Sequence, residues 1–244
     1  KGRYGNGDVQ LMSAGSGVLH GEMFPLLDDE NDNPFRLFQI WLNLPSQSKF
    51  TEPDYKMLWN EKIPRGQFKD ENGANINLKV ILGEYYGIKA QEALENSWAL
   101  DPSHHVGIAL VELDPGAKFT LKPVSKTMNR FVFFYDGTST ISVDSNTMQE
   151  RFIADLSGDV EIVITNADQK AKILILEGEP INEPVFAYGP FVMSSEQELQ
   201  EAFNDYRRTQ FGGWPWGDQE TDLVNPKDSG RFASYNFDKE IDKP

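Results

Sequence analysis

Short apolar runs, alternating or continuous and bounded by glycine, proline, asparagine and aspartate, dominate the 244-residue chain. Apolar side chains at every second position mark strands with one buried face. The pattern predicts strands over 9–12 and 18–22 around Gly15-Ser16-Gly17, and a longer strand over 35–44 halted by Pro45. Further strands are expected over 78–84, 106–113 and 119–122, the last two joined by Asp114-Pro115-Gly116-Ala117. Strands over 130–135 and 138–143 flank Asp136-Gly137, and those over 160–165 and 171–177 flank Asn166-Ala167-Asp168-Gln169. Both short connections carry residues that tolerate positive φ, so both predict hairpins. Strands this short and evenly spaced predict an all-β chain built as a sandwich or barrel.

One segment has a different period. Ser195 and Glu198 have the spacing of a capping box, and Leu199, Ala202, Phe203 and Tyr206 recur on one helical face. A helix over 196–208 follows, with that face against the sheets. Beyond Phe211 the text becomes polar and irregular, and an arm held to the surface by Trp214, Trp216, Phe232, Tyr235 and Phe237 is expected. A boundary near 87–96 divides the chain into a first unit over 1–90, a second over 91–211 and the arm over 212–244.

Composition narrows the function. Lys and Arg number 23 against 38 Asp and Glu, a formal net charge of −15, which repels phosphate backbones and argues against direct nucleic-acid contact. There is no cysteine, hence no disulfide framework and no thiolate metal site or nucleophile. That fits a cytoplasmic protein, or a nuclear one if the source is eukaryotic. No run approaches the roughly 20 apolar residues of a membrane-spanning helix. Neither a nucleophile elbow nor a phosphate-binding glycine loop is present, and the acidic run 28–32 lacks the ligand spacing of a calcium loop.

The chain has three histidines. His20-Gly21-Glu22 is the informative one, because residues i and i+2 of a strand share a face with Cα atoms about 6.7 Å apart. An imidazole nitrogen and a carboxylate oxygen so placed can each come within about 2.1 Å of one ion. A polar pair on a solvated face has the same spacing. His104-His105 point to opposite sides and are expected in a loop entering the 106–113 strand, in a structural or surface role.

Several strings together resemble the pirin family of the cupin superfamily. The run from Gly7-Asp8-Val9-Gln10 to His20-Gly21-Glu22-Met23 resembles the second half of that family's metal-site region. Trp41-Leu42-Asn43-Leu44-Pro45 with Glu52-Pro53-Asp54-Tyr55 is similar to its W-x-N-L-P and E-P-x-Y segment. Glu177-Gly178-Glu179-Pro180 with Tyr188-Gly189-Pro190-Phe191 is similar to its C-terminal signature. The resemblance implies a bicupin: two β-sandwich, jelly-roll barrels with a short C-terminal helix and a single metal in the N-terminal barrel. In pirins that metal is usually iron, held by three His and one Glu. His20 and Glu22 match the last two ligands. The first two belong to an H-x-H pair that would precede residue 1, so the site is incomplete in this chain. Either this is the body of a longer protein whose missing strands the full-length chain supplies, or it is a short form that no longer binds metal tightly.

The resemblance also implies an activity. Some pirins resemble quercetin 2,3-dioxygenases, which open a flavonol-like small molecule with O₂. On that expectation Glu22 is both ligand and proton acceptor, and Gln10 and Met12 line the substrate pocket. Other pirins resemble redox-responsive transcriptional cofactors that act through a protein partner. A metal-free structural remnant is the third expectation.

Overall fold

Residues 63–93 and 98–180 pack as one unit. A computed structural model of the protein describes residues 1–213, 229–235 and 239–244. Within the 63–93/98–180 unit, alternation along Asn75–Leu82, Gly107–Leu113 and Asn129–Asp136 turns Ile76, Leu78, Val80, Val111, Val132 and Phe134 inward. These strands belong to a six-stranded antiparallel sheet in the order Ile153–Ser157, Asn129–Asp136, Ala171–Gly178, Gly107–Leu113, Asn75–Leu82, Arg65–Lys69. A four-stranded sheet runs Lys118–Leu121, Ile162–Asn166, Thr140–Val143, Asn146–Gln149. Phe119, Leu121, Ile141, Val143 and Ile164 of that sheet join Val132, Phe134, Ile173 and Ile175 of the other in one buried cluster. The result is a two-sheet sandwich.

The expected hairpins at Asp136-Gly137 and 166–169 do not form. Asn129–Asp136 is already flanked by Ile153–Ser157 and Ala171–Gly178, so the chain leaves its sheet at Asp136 and enters the other at Thr140. The connection after Asn166 crosses back. These are corners of the sandwich, and changing sheets is what brings the two inner faces together. The Asn166 amide braces the second corner, donating to the carbonyls of Leu113, Asp114 and Gln169 at 3.0, 2.9 and 2.6 Å. The division of the chain also differs from a boundary near 87–96. Arg65–Lys69 and Asn75–Leu82 pair into the sheet of Gly107–Leu113, which places residues 63–93 in this unit.

Residues 1–62, 94–97 and 181–244 make the other unit. Its four-stranded sheet has the order Glu240–Asp242, Phe232–Tyr235, Gly2–Arg3, Glu22–Met23, with Gly2–Arg3 antiparallel to Phe232–Tyr235 and parallel to Glu22–Met23. Val9–Ser13 pairs with Asp54–Leu58. Tyr4, Met57, Trp59 and Ala233 are buried together, with Phe24, Tyr55 and Tyr235 packed on them. The Trp59 indole donates to Asp242 at 2.8 Å. Arg231 donates to Asp8 at 2.6 Å and also pairs with Glu61.

The C-terminal stretch is thus partly sheet rather than an irregular arm. Phe232 is buried and Tyr235 packs on Tyr55 with ring centroids 4.9 Å apart. Trp214, Trp216 and Phe237 lie outside the described residues. Glu196–Thr209 is the expected helix, and its buried Ala202 and half-buried Phe203 and Tyr206 share the predicted face. Phe191, on the hairpin Phe186–Tyr188/Phe191–Met193, packs edge-on against Phe203 at 4.8 Å. Ser195 caps the helix by accepting from the Glu198 amide at 3.2 Å, while the Glu198 carboxylate reaches back to the Ser194 amide at 3.0 Å, one residue before the expected one.

Two expected strands change. Residues 18–22 give only Glu22–Met23, and 35–44 forms no strand. Its alternating pattern finds no partner strand among the described residues, and Phe35, Leu37 and Trp41 are exposed. Among the described residues no helix is long and apolar enough to cross a membrane.

Candidate functional site

The approach to His20 is set by two glycines. Gly17 donates its amide to the Ala14 carbonyl at 2.8 Å, closing the turn. Gly15 has φ +52°, and a Cβ there would sit 2.2 Å from the Thr51 carbonyl oxygen. Gly17 has φ +123°, and a Cβ would meet the Phe211 ring at 2.4 Å. Only glycine serves at either position.

From this turn the chain leads into Glu22–Met23, where Glu22 lies beside Gly2 in parallel register and the Tyr4 amide donates to the Met23 carbonyl at 3.0 Å. Tyr4 lies two residues beyond Gly2, and its hydroxyl reaches back to donate to Glu22 Oε1 at 2.5 Å. His20 Nδ1 is 4.0 Å from the same oxygen, with the two side chains 35% and 26% exposed. The expected pair therefore converges, although His20 sits in a loop rather than on a strand. Tyr4 itself is buried, edge-on to Phe24 at 5.3 Å. Burial and the carboxylate beside it drive its pKa well above that of an ordinary phenol, so it remains a donor.

Tyr55 completes the wall. Burial pushes its hydroxyl up to about 12 despite the polar end of Gln10 nearby, which opposes that rise; Tyr235 and Glu22 reinforce it. The hydroxyl approaches Gly2 so closely that a Cβ there would lie 2.8 Å away. Gln10 is half-buried and opposite Met57 on the paired strand. Met12, opposite Tyr55, is 38% exposed.

The remaining histidines belong to the other unit; His104 ends the short 3-10 helix Pro102–His104 rather than lying in a plain loop, and His105 caps it. The His104 ring stacks on Trp98 at 3.3 Å and its Nδ1 bonds the Trp98 carbonyl at 2.8 Å. His105 Nδ1 pairs with Glu179 at 2.9 Å.

That unit has a polar centre absent from the sequence reading. Arg130 is 1% exposed, its Nε donates to Glu177 Oε1 at 2.6 Å, and its Nη2 donates to the Lys122 carbonyl at 2.8 Å. The Tyr85 hydroxyl donates to the other carboxylate oxygen at 2.7 Å. Here every charge is answered inside the protein. Gly107 makes room, since a Cβ there would come within 2.2 Å of the Tyr85 oxygen.

For metal chemistry the donor types at His20 and Glu22 are suitable. Two donors each about 2.1 Å from an ion lie about 3 Å apart when they meet at a right angle, which a small side-chain rotation supplies from 4.0 Å. No cluster of three or more His, Cys, Asp or Glu suited to a metal occurs among the described residues. The pair fits two positions of a coordination sphere.

The family model described as pirin matches residues 1–42, and that of the pirin C-terminal cupin domain matches residues 108–212. Pirin-1 of Arabidopsis thaliana is 35% identical over 216 residues, covering 87% of this chain and 68% of its own. The chain belongs to the pirin family. Human pirin is 33% identical, with 86% of this chain and 67% of the human protein covered. A solved structure of quercetin 2,3-dioxygenase from Acinetobacter baumannii superposes with a TM-score of 0.59 at 32% identity, over 70% of this chain and 55% of that one. This pirin is an all-β bicupin with one C-terminal α-helix among its described residues. It spans about two thirds of the length of the two curated relatives, and just over half of the Acinetobacter structure.

Tyr4 escaped the sequence reading because nothing local marks it. Its role follows from Gly2 pairing with Glu22, a parallel contact that no spacing rule announces.

Proposed function

We propose that this pirin is an iron-dependent oxygenase of the quercetin 2,3-dioxygenase type, acting on a flavonol-like small molecule, with His20 and Glu22 as two of the iron ligands. The supporting observation is the convergence of that imidazole and carboxylate to 4.0 Å in a family member that is 32% identical to the Acinetobacter enzyme. Imidazole and carboxylate donors suit iron, which when bound supplies a Lewis-acidic centre that reacts with O₂. The chain's own residues do the rest. Glu22 accepts the proton of the substrate's enolic hydroxyl, a transfer that needs a carboxylate within hydrogen-bond reach. The Tyr4 hydroxyl holds one lone pair of Oε1 and leaves the remaining acceptor capacity of the carboxylate for that proton. Gln10 and Met12 contact the substrate from the Val9–Ser13 strand.

The test is oxygen uptake with quercetin by iron-loaded protein, with and without Glu22→Ala. The variant is expected to lose at least about 100-fold in rate, the usual contribution of a positioned acid or base. Equal rates would remove Glu22 from the mechanism.

A further inference from the structure

We infer that Tyr4 is a positioning residue for the Glu22 carboxylate: its buried hydroxyl fixes the rotamer in which Glu22 faces His20 and an incoming cation. The inference rests on the reading of Glu22 as a metal ligand. Three observations carry it. The hydroxyl donates to Glu22 Oε1 at 2.5 Å, the same oxygen that faces His20 Nδ1. Tyr4 cannot wander, because its ring is 5% exposed, packs with Met57, Trp59 and Ala233, and meets Phe24 edge-on. Glu22, by contrast, is a quarter exposed and sits in a strand of two residues, so little else sets its torsions.

The other unit also sets a tyrosine hydroxyl on a glutamate, there beside a cation. There the Tyr85 hydroxyl donates to one oxygen of Glu177 while the other oxygen receives the Arg130 guanidinium. In both units a packed phenol holds a carboxylate oxygen; Tyr85 and Arg130 take different oxygens of Glu177, whereas Tyr4 donates to the Glu22 oxygen that faces His20. Groups that orient metal ligands through a hydrogen bond commonly contribute 10–100-fold to metal affinity.

The experiment titrates the whole chain with Co²⁺ against a chromophoric chelator, recording both the dissociation constant and the visible ligand-field bands. Wild type, Tyr4→Phe, Glu22→Gln and the double variant are compared, with thermal melting followed in each. Tyr4→Phe removes one oxygen and keeps the packed ring. It is expected to weaken Co²⁺ binding about 10-fold and to shift the bands. In the Glu22→Gln background the same change is expected to do nothing further.

Wild-type affinity and spectrum in Tyr4→Phe, with Glu22→Gln weakened, would overturn the inference and leave the ligand reading intact. A Tyr4→Phe loss that persists in full on top of Glu22→Gln would also overturn it, because the hydroxyl would then act through the fold. Absence of Co²⁺ binding by wild type, or a Glu22→Gln variant that binds as wild type does, would bring down the underlying ligand reading instead.

Discussion

Each unit of this pirin contains a glutamate that accepts a tyrosine hydroxyl, and the two differ in what answers the carboxylate's charge. Glu177 meets a guanidinium that is 1% exposed and itself donates to backbone carbonyls. Glu22 meets an imidazole 4.0 Å away, and both side chains keep contact with water. A buried carboxylate needs a permanent counter-charge, whereas a partly wet one tolerates its absence. The same pair of residue types therefore stabilises structure in one place and stays available for a ligand in the other.

The comparison breaks most easily at Arg130. Arg130→Met strands the Glu177 charge among apolar side chains and is expected to cost about 3–5 kcal/mol. Urea unfolding, with hydrogen exchange read on Asn129–Asp136 and Ala171–Gly178, measures it. A loss below about 1 kcal/mol, typical of an exposed ion pair, would mean that the centre is not sealed.

Matched removal of the two hydroxyls sharpens the contrast. Tyr85→Phe leaves Glu177 one donor short in a site closed to water, an expected cost of about 1–3 kcal/mol. Tyr4→Phe lets water replace the lost donor at Glu22, so its cost in stability is expected to stay under about 1 kcal/mol. Equal losses in the same unfolding assay would erase the distinction between a closed and an open carboxylate.

The smallest effect concerns acid. Burial raises the pKa of Glu179, but hydrogen bonds from Ser125 and Thr127 and the His105 contact outweigh it and leave the carboxyl below its ordinary value. A group whose folded pKa is depressed contributes stability above its unfolded pKa and loses it as pH falls through the folded one. Stability of this unit is therefore expected to decline as pH drops below the normal carboxylate range, and Glu179→Gln to flatten that decline. Unfolding midpoints measured across that range give the slope.

Much of the 63–93/98–180 unit was legible because period-two burial is a local property, visible along Gly107–Leu113 and Ala171–Gly178 without knowing their neighbours. The flanking strands Arg65–Lys69 and Ile153–Ser157 escaped notice. Both lie at the edges of the six-stranded sheet and bury little, so their sequences carry weak alternation. Turn chemistry at Asp136-Gly137 announced a reversal but could not say which sheet receives the next strand. In the other unit, the approach of His20 to Glu22 was legible from their i, i+2 spacing, although only Glu22 lies on a strand. Tyr4 and the strand Phe232–Tyr235 were not, since each depends on a partner far along the chain. Residues 35–44 show the converse, a strong strand pattern to which the fold assigns no ladder.

The pairing of Gly2–Arg3 with Phe232–Tyr235 has a consequence for biosynthesis. The Ser234 amide donates to the Lys1 carbonyl at 2.8 Å, two groups 233 residues apart. On the ribosome, residues 63–180 emerge in full before that partner strand exists, and closing so long a loop carries a large entropic cost unless the intervening chain is already folded. The sandwich is thus set to fold first and to shorten the effective loop, while Phe232–Tyr235, the antiparallel partner of Gly2–Arg3, is made after it.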